Sequence, residues 1–284
     1  MALLNLKRLL LKKSFSHQYP YRLYHSIVDF EKHIIYEDNH LLVCNKLNGI
    51  LSQSGDNIEQ KESIIDYAKS YLKHKYSKPY DAYVGLVHRL DRPTSGVLIL
   101  SKTSKALSRL NESFRLRQDL KKYYVCMVNG EINGNGSLIN YMIKNNDEQR
   151  VRCYNSKRDI KHGNIVEAEL NYKSIVSKMI DSINQIQSLC DIEMITGRKH
   201  QIRAQLSFLG YPIVGDIKYN APQSFRSKEI YLHCYGIYIN HPITKERMFL
   251  SAKPPNSILW QQKFGSDIVT FIDDLIKEKR DRIK

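Results

Sequence analysis

The sequence predicts a single mixed α+β domain, a largely antiparallel sheet with flanking helices. Three observations carry this. Strand-like segments outnumber helical ones, and most follow one another through hairpin-type turns. No internal repeat or low-complexity linker divides the 284 residues. Hydrophobic residues make up 42% of the chain and aromatic residues 10%, enough for a sizeable core and too much for wholesale disorder.

Residues 34–46 read as strand, turn, strand. Residues 64–76 have helical spacing, with Ile65, Ala68 and Leu72 on one stripe. The small apolar run 82–87 reads as a strand, and Val97-Leu98-Ile99-Leu100 as a second; Pro93, Ser95 and Gly96 supply the turn between them. A helix is expected over 105–116. Residues 122–128 alternate and are rich in Tyr and Val, which marks a strand. Asn129-Gly130 and Asn133-Gly134-Asn135-Gly136 are turn clusters. Several short strands broken by polar loops are expected over 137–175. A strand over 189–195 precedes a helix over 199–209. Residues 231–239 and 247–251 form a late hairpin around His241-Pro242, and 267–280 a charged terminal helix.

Formal net charge is +15, with a pI of about 9.4. A pI above about 9 is the footprint of a nucleic-acid binder. A membrane-surface or ribosome-associated protein would carry the same charge, so charge alone names no partner. No uninterrupted apolar stretch approaches the roughly 20 residues of a membrane span, and no membrane partner is expected. The cysteines, Cys44, Cys126, Cys153, Cys190 and Cys234, are scattered and form no CxxC pair. A disulfide scaffold or zinc ribbon is therefore not expected, and a reducing compartment is. His88, His200 and His233 show no H-x-x-x-H spacing, and only His233 adjoins a cysteine, so no metal is expected.

Residues 1–28 contain no Asp or Glu but carry Lys7, Arg8, Lys12, Lys13 and Arg22. Leu3, Leu6 and Leu10 can share one helical face. Residues 1–30 are expected to be a mitochondrial-type transit peptide, with a basic RNA-binding arm as the competing reading. The body that follows, 31–284, stays basic without them.

One decapeptide concentrates the chemistry: Val87-His88-Arg89-Leu90-Asp91-Arg92-Pro93-Thr94-Ser95-Gly96. It sets a carboxylate at a strand-to-strand corner between two arginines, where rigid elements can hold a reactive group. Taken alone, an Asp at an Asp-x-Pro corner ordinarily bonds its own backbone, and flanking arginines are ordinarily solvated.

The decapeptide resembles the active-site motif of the RluA family of RNA pseudouridine synthases. Three more segments match that family in the same order. Residues 39–46 resemble its first motif, with Leu47 in place of the usual Pro and Gly49 retained. Residues 122–130 resemble its K-x-Y-x-A-x-V-x-G strand, with Cys126 at the usual Ala. Gly197-Arg198-Lys199-His200-Gln201-Ile202-Arg203 nearly repeats its third motif, continued by residues 211–219. The match spans roughly residues 34–256, too long and ordered for chance.

The resemblance implies the pseudouridine synthase catalytic fold with a central active-site cleft, and an isomerase acting on RNA. It makes Asp91 the catalytic nucleophile, Tyr124 the residue against the uracil and a candidate to accept the C5 proton, and Arg203 the partner that favours the ionised Asp91. Read without the motif, Tyr124 is strand packing and Arg203 a helix-surface residue. Ile202 would line the base pocket, Arg89 hold the flipped nucleotide or fill its gap, and Arg198 and Lys199 contact phosphates. The reaction is redox-neutral, so no cofactor is expected. About 33 residues before the core are too few for the S4 RNA-binding domain that many bacterial relatives carry. A monomer acting on ribosomal or transfer RNA is expected. The rivals are a non-catalytic RNA-binding or ribosome-assembly factor on the same fold and, more remotely, a hydrolase. A retired enzyme has no need of Asp91, Tyr124 and Arg203 together, and a hydrolase would want a second carboxylate.

Overall fold

The computed structural model describes residues 27–54, 63–117, 119–145, 150–180, 183–222, 230–255, 260 and 267–282. Most of the segment 1–30 thus lies outside the described residues. Eleven strands form one sheet: β1 (Ile34–Glu37), β2 (Leu41–Lys46), β3 (Gly85–Leu86), β4 (Ser95–Ser101), β5 (Lys121–Asn129), β6 (Asn135–Asn145), β7 (Arg150–Tyr154), β8 (Val166–Ile180), β9 (Gln185–Met194), β10 (Leu232–Asn240) and β11 (Arg247–Ser251). Their order is β1-β2-β4-β10-β5-β9-β8-β6-β7, with β11 on β10 and β3 on β4. The β4–β10 pair is parallel and the other pairs are antiparallel. Helices are α1 (Ile27–Glu31), α2 (Ile64–Lys75), α3 (Ser104–Leu116), α4 (Gln201–Phe208) and α5 (Asp267–Asp281). The expected mixed α+β architecture is the one found.

The sheet divides at β4 and β10, and this is what makes a site. Every residue of β4 is buried, so its apolar run needs cover on both faces. β10 meets it only at Ser95 and Gly96. Gly96 has φ +124°, and a Cβ there would lie 2.3 Å from the Cys234 carbonyl oxygen, so only glycine admits this approach. Beyond that point the two strands part. α3 starts from the Thr103 cap, whose hydroxyl accepts the Ala106 N–H, and its C-terminal half flanks the gap.

Three expectations change. The strand over 82–87 shrinks to Gly85–Leu86. Only Gly85 and Leu86 pair with β4, because the next N–H on that edge, that of Ile99, is taken by a side chain. Side chains substitute: His88 Nε2 accepts the Ile99 N–H at 3.1 Å, and the Ser52 hydroxyl bonds both backbone groups of Leu90. Residues 137–175 hold parts of longer strands, β8 alone having 15 residues. Partial burial leaves much of β8 polar, which breaks the apolar pattern on which a sequence reading relies. Asn135 and Gly136 open β6 instead of closing a turn; Gly136 lies under the Tyr172 ring, whose edge would sit 2.8 Å from a Cβ.

Candidate active site

Asp91 occupies the corner between β3 and β4. The Thr94 N–H donates to its carbonyl, which closes a turn through Pro93. A buried lysine fixes the same corner: Lys46 Nζ donates to the carbonyls of Leu47 and Ile50 at 2.9 Å and of Arg92 at 3.3 Å. Burial pulls Lys46 down to about 7, while Asp91 nearby opposes that shift. Three carbonyl acceptors match the three N–H donors of an ammonium, so the geometry favours the cation.

The carboxylate of Asp91 reaches α4 across 112 residues of sequence. Arg203 Nη1 donates to Asp91 Oδ2 at 3.0 Å. The same guanidinium grips Asp216, with Nε to Oδ2 at 2.6 Å and Nη2 to Oδ1 at 2.8 Å. Arg203 and Asp216 are buried, whereas the Asp91 side chain is 25% exposed. The fixed end of the fork is thus Asp216, and the accessible end is Asp91. Desolvation works against the Arg203 charge, but the two carboxylates raise its pKa above the usual arginine value. The Tyr219 ring lies 5.0 Å below the guanidinium.

Asp91 Oδ1, the oxygen not held by Arg203, faces His200 Nε2 at 3.9 Å. Burial lowers His200 to about 4, more than Asp91 raises it, so the ring is neutral at pH 7. The Tyr219 hydroxyl accepts the Val151 N–H at 3.0 Å and lies 2.8 Å from His200 Nδ1. With the Val151 N–H donated to it, the hydroxyl can turn its own proton to Nδ1, and the tautomer that accepts it carries the imidazole proton on Nε2, toward Asp91. His200 has φ +53°, and that turn, not Lys199, opens α4 at Gln201.

Tyr124 comes to the same cleft from β5. Burial, the Cys234 thiol and Asp91 hold its pKa well above the usual tyrosine value. A ring kept as neutral phenol is a poor proton acceptor and a good flat wall. Ile202 is buried and, with Met194, Leu232 and Tyr124, lines a recess of about 60 Å³ beside Asp91. The recess opens onto a cleft of about 920 Å³. Arg89, Arg92, Arg115, Arg117, Lys122, Arg198 and Lys199 line that cleft, and Asp91 is the one acid among the described lining residues. Arg89 and Lys199 are exposed at its mouth; Arg198 is tied by Nε to the Glu167 carbonyl at 2.9 Å.

The structure thus brings all seven sequence-derived site residues to one place. Sequence reasoning assigned no role to Asp216, Tyr219, Lys46 or Lys122, and weighed His200 only as a metal ligand. Asp216 and Tyr219 stand in a quoted motif, but nothing in their spacing showed that they grip Arg203 and His200. No group of three or more His, Cys, Asp or Glu gathers to hold a metal among the described residues, and no described helix is long and apolar enough to cross a membrane.

A carboxylate fixed by a buried arginine in a cleft lined with cations suits an enzyme with a polyanionic substrate. Sequence and fold comparisons say which kind. The RNA pseudouridylate synthase family matches residues 40–208. The ribosomal large subunit pseudouridine synthase C of Buchnera aphidicola is 34% identical over 231 residues, covering 78% of this chain and 67% of that protein. The dual-specificity RNA pseudouridine synthase RluA of Haemophilus influenzae is 32% identical over 225 residues, covering 78% and 92%. The solved structure of human RNA pseudouridylate synthase domain containing 4 superposes with a TM-score of 0.64 at 23% identity, covering 81% of this chain and 91% of that one. The chain belongs to the RNA pseudouridylate synthase family, whose members are isomerases.

Proposed function

We propose that the protein converts specific uridines of RNA, ribosomal RNA first among them, to pseudouridine, with Asp91 as the nucleophile. The observation that carries this is the Arg203–Asp91 bond at 3.0 Å, which leaves Asp91 Oδ1 open beside a recess of base-pocket character. Oδ1 attacks C1′ of the ribose, and the N1–C1′ bond breaks with its electron pair on uracil. The base turns against the Tyr124 wall. C5 then bonds C1′, the carboxylate leaves, C5 loses a proton and N1 gains one. Nothing is oxidised or reduced. A paired uridine must first leave its stack, at a cost of a few kcal/mol. Arg89, Arg198 and Lys199 are placed to offset that cost through phosphate contacts.

The ribosomal assignment rests on relatives that are named for the large ribosomal subunit. Transfer RNA is the alternative substrate class. Two experiments test the reading. Mapping pseudouridine across the transcriptome of cells lacking the protein should reveal missing sites in ribosomal RNA. Purified Asp91→Asn should keep its fold and form no pseudouridine on that RNA; near-normal activity would sink the assignment. Because the isomerisation is redox-neutral, turnover is expected to survive exhaustive chelation, apart from any metal the RNA itself needs to fold.

A further inference from the structure

Lys122 stands two residues before Tyr124 on β5, so both side chains leave the same face of the strand and both line the cleft. Its ammonium makes no hydrogen bond or ion pair with any described residue, while its backbone belongs to the sheet ladder. Asp91, the acid nearest in the cleft, is already held by Arg203. The other neighbours offer no anion: Arg117 is a cation, burial pushes the Cys234 thiol up to about 12, and burial lowers the neighbouring His88 to about 3, which leaves both neutral. Burial holds Lys122 below the usual lysine value; Cys234 opposes that shift and Arg117 adds to it. A half-buried cation without a partner costs the folded state free energy, and a bound anion would offset that cost.

A second observation concerns Gly197, the first residue of the third motif. A Cβ there would lie 2.6 Å from Lys122 Nζ. Its φ is outside the left-handed region, so its backbone does not call for glycine; a side chain there would push the ammonium aside. The ammonium rests in the space that the missing side chain leaves, on the loop that also carries Arg198 and Lys199. Glycine and lysine, 75 residues apart in sequence, therefore make one feature.

We propose that Lys122 anchors a backbone phosphate of the RNA strand lying in the cleft, and that residue 197 is glycine to let this ammonium reach it. The inference rests on the reading of the cleft as an RNA site. An RNA strand brings one anion per nucleotide, and a charge-assisted bond to phosphate is stronger than one to a neutral base carbonyl.

The test measures binding of a fluorescent oligouridylate of about 20 nucleotides by anisotropy, across KCl from about 50 to about 300 mM. The proteins are wild type, Lys122→Met, Lys122→Arg and Gly197→Ala. Each phosphate contact to a single strand contributes about 0.7 to the slope of log Kd against log salt. The slope should fall by about 0.7 in K122M and G197A and stay in K122R. In G197A the clash is with the free end of a flexible side chain, so the fold survives. K122M should also withstand urea at least as well as wild type, since it removes an unpaired charge; a merely structural lysine would lower that midpoint. On an RNA that the wild type modifies, KM should rise several-fold with kcat nearly kept. An unchanged slope in K122M overturns the anchor. A slope that falls in K122M but not in G197A overturns the role of Gly197. Binding is read without turnover, so the two readings fail separately. A wild type that makes no pseudouridine defeats the catalytic reading, and an active wild type whose slope ignores Lys122 defeats this one.

Discussion

At the scale of the residue, the site is one guanidinium that holds two carboxylates of different duty. Asp216 is buried and grips Arg203 by two bonds, so the third nitrogen is fixed in direction when it meets Asp91. A point charge cannot do this. Arg203→Lys keeps the cation but loses the planar fork, and one ammonium cannot satisfy both acids at these positions. Single-turnover kinetics should show a loss of about 100-fold or more, an effect of the size seen when one aligned donor is removed from an active site. RNA binding at fixed salt should change far less, since affinity comes from phosphate contacts elsewhere. A loss of binding in proportion to rate would mean that Arg203 is a phosphate contact and not the partner of Asp91. Asp91 and Arg203 were legible in the sequence because motif spacing carries them. The grip of Asp216 was not, because a buried ion pair across 13 residues leaves no periodic trace. Lys46 was illegible for a related reason: its partners are backbone carbonyls, which any residue supplies.

At the scale of the element, two junctions set the cleft. The parallel β4–β10 contact depends on Gly96, and its mate on the far face of β5 is the seat of α5. There Lys279 lies 3.1 Å from Asp191, with the Tyr123 ring 5.1 Å from its ammonium, and the Tyr235 hydroxyl donates to Asp191 at 2.8 Å. Desolvation raises Asp191, and Lys279 opposes that rise. Tyr123 and Tyr124 point to opposite faces, so this buried pair lies behind the Tyr124 side of the cleft. Lys279→Met leaves Asp191 desolvated and without its cation. A loss of about 3 kcal/mol is expected from urea unfolding, with the activity per folded molecule unchanged. A K279M protein of full stability would show that apolar packing alone seats α5. The terminal helix itself was legible from its charged, amphipathic pattern. Its seat was not, because a lysine near the end of a charged helix reads as solvated. The 82–87 segment shows the converse limit. Ala82 and Val87 do enter the core, but the segment leaves the ladder after Leu86, where the His88 side chain takes the Ile99 N–H, and composition does not record that.

At the scale of the whole molecule, charge and burial act in different ranges of pH. The excess of basic residues suits an RNA partner, and a cluster of them sits at the N-terminus. We propose that residues 1–30 direct a fused reporter to mitochondria; a cytosolic or nuclear signal would defeat that. Stability, by contrast, is tied to histidines inside the body. His233 is fully buried; its Nδ1 is 2.8 Å from the Ser95 hydroxyl and its Nε2 2.9 Å from the Ala252 carbonyl, so one neutral tautomer satisfies both. His88 Nε2 accepts a backbone N–H, so protonation there breaks a bond, and His200 Nδ1 lies 2.8 Å from the Tyr219 hydroxyl. Burial lowers His88 to about 3 and His200 and His233 to about 4, from 6.5. The unfolded chain therefore binds protons near pH 6.5 that the folded chain refuses until about 4. Wherever the unfolded state binds more protons, stability rises with pH. The contribution of these groups is complete above pH 6.5 and is lost as pH falls toward 4. Asp191 acts in the opposite sense, because burial raises it. Glu37, held at about 2 by Lys102 and Lys75 against its own desolvation, loses its contribution only below its ordinary 4.5. Between pH 6.5 and 5 Glu37 is still ionised in both states, so the histidines drive the loss there and Asp191 opposes it. Urea midpoints should fall steadily across that interval, and His233→Gln should make the fall shallower. A wild-type midpoint flat from pH 7 to 5 would mean that these rings already carry their protons in the folded state, contrary to the tautomers their partners require.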